Sequence, residues 1–330
     1  MTEEGQRRYR ALPVTRSFSG APRRVGVEIE LTGPDVEHLV AQVQSVFGGT
    51  RRFHSDFEWT LENTEFGTFR IEMDSDLLKK IGRQEEATGE WVDHLASLAL
   101  ARLSQGLVPC EIVTPPIPWS RLAELDRLIA NLRADGAKGT RDALWNAFGL
   151  HLNPEVPSCA ADSILAYLRA FLCLHDWLRE VEDVDISRRL SPYVRSFDAA
   201  FVSQVMAPDY RPNLSTLIDD YLYANPSRNR ALDLLPLFTW LDAPRVRSVV
   251  TSTLVKARPT YHYRLPNCEI DDPQWGIHQS WNRWCEVEEL AADALRLEDV
   301  CAAYRLHLES LTPDFLDPWS DKVKAWLACP

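Results

Sequence analysis

Hydrophobic and polar positions follow two rhythms along the chain. Val25-Gly-Val-Glu-Ile-Glu-Leu31 alternates, with Val25, Val27, Ile29 and Leu31 on one side and Gly26, Glu28 and Glu30 on the other. Period two is the mark of a strand. Gly33-Pro34 ends it, and Val36, Leu39, Val40, Val43, Val46 and Phe47 then recur at helical spacing up to Gly48. Glu58–Glu62 and Thr68–Met73 read as two strands joined by Asn63-Thr-Glu-Phe-Gly67. Residues 79–87 read as a loop and 89–104 as a helix, followed by a short strand, Cys110–Thr114, closed by Pro115-Pro116. Ser120 is placed to cap a helix whose Leu122, Leu125, Leu128, Ile129 and Leu132 face inward. Leu144 to Asn153 is expected to be extended, with Phe148, Leu150 and Leu152 opposite Gly149, His151 and Asn153.

The rhythm changes after residue 160. Helices are expected at 161–180, 194–206, 213–223 and 229–241, separated by Pro208, Pro212, Pro226 and Pro244. A strand returns at Thr260–Leu265, and 279–310 reads as helix. Strands first, helices next, then one strand and a terminal helix predict an α+β fold with a mainly antiparallel sheet. Residues 1–22, rich in Arg, Ser, Gly and Pro, are expected to form a flexible leader before one domain over 23–330, with 160–250 a mainly helical insertion.

Composition narrows the function. The net charge is −12, and the first 24 residues hold six arginines against Glu3 and Glu4, so the rest of the chain is more acidic still. An acidic body argues against nucleic acid as a partner. No apolar run reaches the ~20 residues needed to span a bilayer, and no secretory signal is visible. Seven cysteines, none in a C-x-x-C pair, fit free thiols in a reducing cytoplasm. The phosphate cradles G-x-x-x-x-G-K-[ST] and G-x-G-x-x-G are absent, as are G-x-S-x-G and H-E-x-x-H.

What remains is a set of polar residues set into apolar strands. Glu28 and Glu30 share one face at i and i+2, roughly 7 Å apart. Paired carboxylates are held by a divalent cation, or else they simply face solvent. Met73-Asp-Ser-Asp76 ends a strand and reads equally well as a turn. Glu111, His151, His262 and Arg264 each sit on a strand, where an outward residue or an ordinary hydrogen-bonded one is the plain alternative. His175, Asp176, Arg188 and Arg189 read as helix surface. The weight lies in the recurrence of one polar cluster per strand.

Four segments in order, Val25-Gly-Val-Glu-Ile-Glu-Leu31, Cys110-Glu-Ile-Val-Thr-Pro-Pro116, Phe148-Gly-Leu-His-Leu-Asn153 and Tyr261-His-Tyr-Arg-Leu-Pro266, resemble the amidoligase family, carboxylate–amine ligases similar to glutamate–cysteine ligase and glutamine synthetase. The resemblance covers roughly 23–155 and 250–290. It implies a curved antiparallel sheet forming a partial barrel, glutamine-synthetase-like, with outer helices. It implies ATP and two or three Mg2+ ions as cofactors, and an amide or isopeptide bond made through an acyl phosphate. By resemblance, Glu28, Glu30, Asp74, Glu111 and His151 bind metal, Glu111 and Arg264 are catalytic, and Arg264 and His262 contact the nucleotide. Two positions depart from the pattern: His262 stands where relatives usually carry Glu, and Asn153 where a second His is common. Substrates would be a small-molecule or peptide carboxylate and amine, with no membrane, and the helical block is open to a protein partner. A metal-dependent hydrolase or phosphotransferase using the same cluster, or a scaffold with a decayed site, are the competing readings.

Overall fold

The computed structural model describes residues 8–73, 109–140, 148–182, 197–310 and 317–328. The fold is α+β: a curved, open, antiparallel sheet of nine strands with ten α-helices among the described residues. Strand β1 (Arg24–Leu31) lies at its centre. The remaining strands are β2 (Thr50–Ser55), β3 (Glu58–Thr64), β4 (Gly67–Met73), β5 (Cys110–Val113), β6 (Ile117–Pro118), β7 (Leu150–Pro154), β8 (Leu232–Asp233) and β9 (His262–Tyr263). They run in the order β2-β3-β4-β5-β1-β7-β9-β8, with β6 on the start of β1.

The expected alternation of β1 holds. Val25, Val27, Ile29 and Leu31 are fully buried, and Ile71, Ile112, Leu150, Leu152, Leu232 and Tyr263 from the neighbouring strands join the same apolar side. Helix α1 (Val36–Phe47) covers that side at the β2–β4 end, where Phe47 stacks on Phe69 at 4.9 Å. Asp35 caps its start, and Gly48, at φ +67°, ends it where the pattern places the stop. At the other end, helices α3 (Ala161–Val181) and α8 (Ile277–Ala292) pack on the sheet through aromatic rings: Tyr167 on Tyr261, Phe171 on Tyr263 and Trp284 on both tyrosines. The remaining helices are α2 (Leu125–Ala134), α4 (Ala199–Met206), α5 (Leu214–Ala224), α6 (Leu235–Leu241), α7 (Ala243–Arg247), α9 (Ala294–Leu308) and α10 (Trp319–Ala328). No helix among the described residues is long and apolar enough to cross a membrane.

Several expected elements change. The single helix over 279–310 is two, α8 and α9, because the Asp293 side chain accepts from the Arg296 N–H and starts a new helix there. The helix expected from 229 begins only at Leu235, since Leu232 and Asp233 pair with Tyr263 and His262 instead. The strand expected over 260–265 is confined to His262–Tyr263. Ser120 caps no α-helix; it lies in a 3-10 turn, Trp119–Glu124, that leads into α2. Strand β2 escaped the sequence because Thr-Arg-Arg-Phe-His-Ser is an exposed edge with no apolar alternation. The helix expected over 89–104 lies outside the described residues.

Within the expected flexible leader, Arg8, Tyr9 and Arg10 dock on α2 and α8, while the Phe18 N–H donates to the Val156 carbonyl and its ring packs on Trp240. Tyr9 and Leu12 are buried, the Tyr9 hydroxyl donates to Asp126 at 2.6 Å, and Trp281 Nε1 donates to the Arg10 carbonyl at 2.9 Å. Just beyond them, Arg23 forms a fully buried fork with Glu288 of α8, at 2.8 and 2.7 Å. Tyr167 and Trp284 Nε1 donate to the same carboxylate, while Arg23 also donates to the carbonyls of Glu155 and Val14.

The approach to β7 is fixed by Gly139 and Thr140. Thr140 N–H donates to the Cys268 carbonyl at 2.8 Å and its hydroxyl to the Phe148 carbonyl at 2.7 Å. A Cβ on Gly139 would collide with the Cys268 carbonyl oxygen and Asp271 Oδ1. Gly139→Ala is therefore expected to cost about 1–3 kcal/mol, read as a lower midpoint in urea unfolding. An unchanged midpoint would show that this junction yields freely.

Candidate active site

The face of the sheet opposite the core carries the chemistry, and strand register sets its geometry. Glu28 on β1 lies opposite His151 of β7, and Gly26 opposite Asn153. On the other side of β1, Glu30 pairs with Glu111 of β5, and Glu111 in turn with Glu72 of β4. Directly opposed residues hold their Cβ atoms about 4.5–5.5 Å apart, so these rows bring like charges together. Beyond β7, Asp233 of β8 lies opposite His262 of β9.

Glu28 is the hub. It is buried, with Oε2 3.0 Å from His151 Nδ1 and Oε1 2.9 Å from the Asn153 amide nitrogen and 3.2 Å from Arg258 Nη2. Burial by itself raises its carboxyl, but His262, the His151 hydrogen bond and Arg258 together hold it well below the usual carboxylate range. His262 is pushed the other way. Burial takes its imidazole well below the ordinary value, against the pull of Glu28 and with Arg258 and Arg264 adding to the fall. The Asn153 amide nitrogen is committed to Glu28, so its oxygen faces His262 Nδ1 at 2.7 Å. Arg258 Nη2 lies 3.1 Å from the same Nδ1, so that nitrogen meets an acceptor and a donor at once, and neither contact engages Nε2.

Glu111 behaves differently. Burial, then the charges of Glu28, Glu30 and Glu72, raise its carboxyl well above the ordinary value, with Arg70 opposing. A cation among these carboxylates would relieve that repulsion. Glu30, Glu111 and His151 each bring a donor atom within 4.8 Å of the others, and so do Glu28, His151 and His262. The second oxygen of Glu30 accepts from the Gly149 N–H at 2.6 Å, which fixes its orientation. These donors fit a bound divalent cation.

Arginines border the cluster. Arg264 is buried and donates to the Arg228 carbonyl at 2.7 Å. Burial and Arg228 lower its pKa while Asp233, Glu30 and Glu28 oppose. Of the residues singled out from sequence, Glu28, Glu30, Glu111, His151, His262 and Arg264 share this neighbourhood; Asp74 lies outside the described residues. Sequence reasoning passed over Glu72 and Arg70, although Phe69, Ile71 and Met73 alternate with them as the valines of β1 alternate with its glutamates. It also passed over Arg258, Arg228 and Asp233, where no periodic signal exists to find.

A family model described as "Putative amidoligase enzyme" matches residues 21–286, most of the chain. The chain belongs to that amidoligase family. The match spans all four resembling segments and the helical block between them. No curated protein and no solved structure matches the chain.

Proposed function

We propose that this amidoligase is an ATP- and Mg2+-dependent carboxylate–amine ligase that makes an amide or isopeptide bond through an acyl phosphate. The observation that carries the reading is the row of Glu72, Glu111, Glu30, Glu28 and His151 across four strands, bordered by Arg258 and Arg264. Bound Mg2+ would neutralise and orient the phosphates of the nucleotide. Glu28, Glu30, Glu111 and His151 would hold it, with Asp74 a further candidate ligand. The Arg264 guanidinium would sit against the charge that develops on the γ-phosphoryl group, and His262 beside the nucleotide. Substrate carboxylate oxygen attacks the γ-phosphorus and the bond to the β–γ bridging oxygen breaks, releasing ADP. The amine then attacks the acyl carbon, phosphate leaves, and the amine loses a proton. The substrates we assign are a glutamate-like or peptide carboxylate and a small or peptide amine, and the six free thiols among the described residues suit a reducing cytoplasm.

The test uses glutamate and glutamate-terminated peptides with hydroxylamine as the amine. ADP release should depend on both, and acyl hydroxamate should form in equal amount. ADP release indifferent to hydroxylamine would instead favour a hydrolase or phosphotransferase, and absence of ATP binding by calorimetry a scaffold.

A further inference from the structure

The two donor sets differ in chemistry. Glu30, Glu111 and His151 offer two carboxylates and one imidazole, and Glu72 lies directly opposite Glu111 to extend the oxygen-rich side. Glu28, His151 and His262 offer one carboxylate and two imidazoles, all three buried. Hard Mg2+ favours oxygen, whereas imidazole favours the first-row transition metals, most of all in a two-histidine, one-carboxylate set.

Two further contacts separate the sets. Asn153 spans the nitrogen-rich one, giving its amide nitrogen to Glu28 Oε1 at 2.9 Å and setting its oxygen 2.7 Å from His262 Nδ1, which Arg258 Nη2 also approaches at 3.1 Å. One side chain thus orients two donors, the arrangement that outer-shell partners supply in metal sites. Arg258 Nη2 lies 3.2 Å from the same Glu28 oxygen, so the charge of that carboxylate is already shared. A cation held there must gain from coordination to nitrogen, because little uncompensated negative charge is left to attract it. On the other side Arg70 pairs with Glu72 at 3.2 Å, and Glu30 and Glu111 remain directly opposed on neighbouring strands, so carboxylates outnumber the arginine there.

We propose that Glu28, His151 and His262, clamped by Asn153, form a site for a transition-metal dication of the Mn2+, Co2+ and Zn2+ class, beside a Mg2+ site on Glu30, Glu111 and Glu72. This rests on the metal role proposed above and changes the metal. His151 lies within reach of both sets, but a neutral imidazole has one lone pair, so it serves the transition-metal site and leaves the Mg2+ site to carboxylates.

Mn2+ binding to the full chain, followed by electron paramagnetic resonance with Mg2+ and Zn2+ as competitors, separates the sites without reading turnover. Wild type should bind Mn2+ in two classes. Excess Mg2+ should displace one, and Zn2+ should displace the other at a concentration lower than Mg2+ requires by more than about tenfold. His262→Gln should remove the Zn2+-sensitive class alone, and His262→Glu should make both classes yield to Mg2+. Asn153→Ala should weaken the Zn2+-sensitive class about 10- to 100-fold. Circular dichroism checks that each variant is folded, and the wild-type competition needs no variant. If Mg2+ displaces all Mn2+ alike, or His262→Gln leaves the Zn2+-sensitive class intact, this assignment is overturned while the Mg2+ reading stands. If no Mn2+ binds, both fall.

Discussion

Replacing Glu28 by Gln is expected to lower ADP release by at least about 100-fold while leaving the secondary structure unchanged. The substitution keeps the volume and removes the charge. Glu28 meets His151, the Asn153 amide nitrogen and Arg258 at once, three groups that can each donate to it. A carboxamide would set its own N–H donors against one or more of them and weaken its hold on a cation. The effect on stability should be small by comparison, because Arg258 is 30% exposed and water can take over its partner's role. Steady-state ADP release and far-ultraviolet circular dichroism read the two effects separately. Turnover at the wild-type rate would remove Glu28 from the chemistry.

The second large effect is one of stability. Glu288→Gln should lower the melting temperature by roughly 4–7 °C, from a cost of about 3–5 kcal/mol spread over a chain of this length. Both members of the Arg23–Glu288 pair have fully buried side chains, so water cannot replace the lost partner. Tyr167 and Trp284 also donate to that carboxylate, and a carboxamide has one oxygen for donors that now use two. Replacing both Arg23 and Glu288 by Met removes the stranded charge along with its partner and should recover much of the loss. A Glu288→Gln protein that melts with the wild type would mean that the core there admits water.

The difference between these residues bears on what a sequence can reveal. Glu28 and Glu30 were legible because β1 is apolar on one side and uniform along its length, which makes any charge on the other side conspicuous. Glu111 and His151 stand on short strands with the same contrast. Glu288 carries no such mark: it lies in a helix beside Glu286 and Glu289, both of which reach Arg10 at the surface. Only the fold distinguishes the buried member of the three. Arg258 was hidden for another reason, since it precedes Pro259 in a stretch with no periodicity and reaches Glu28 only because the chain turns back there. The helical layer was legible in outline, with boundaries moved where β8 claims Leu232 and Asp233 and where Asp293 starts a new helix. Strand β2 was not legible at all, because an exposed edge needs no apolar face.

The sheet order has a consequence for how the protein is made. Strand β1 is made before the strands that flank it in the sheet, β5 and β7, and the strand that brings His262 comes more than 230 residues later. During synthesis Glu28 therefore waits for its partners: Glu111 first, then His151 and Asn153, then several helices, and His262 and Arg264 after them. A nascent chain stopped after α5 would hold the carboxylate half of the cluster against an unpaired β7 edge, with the strand that covers that edge still to come. The cluster would thus be complete only after β9 has been translated.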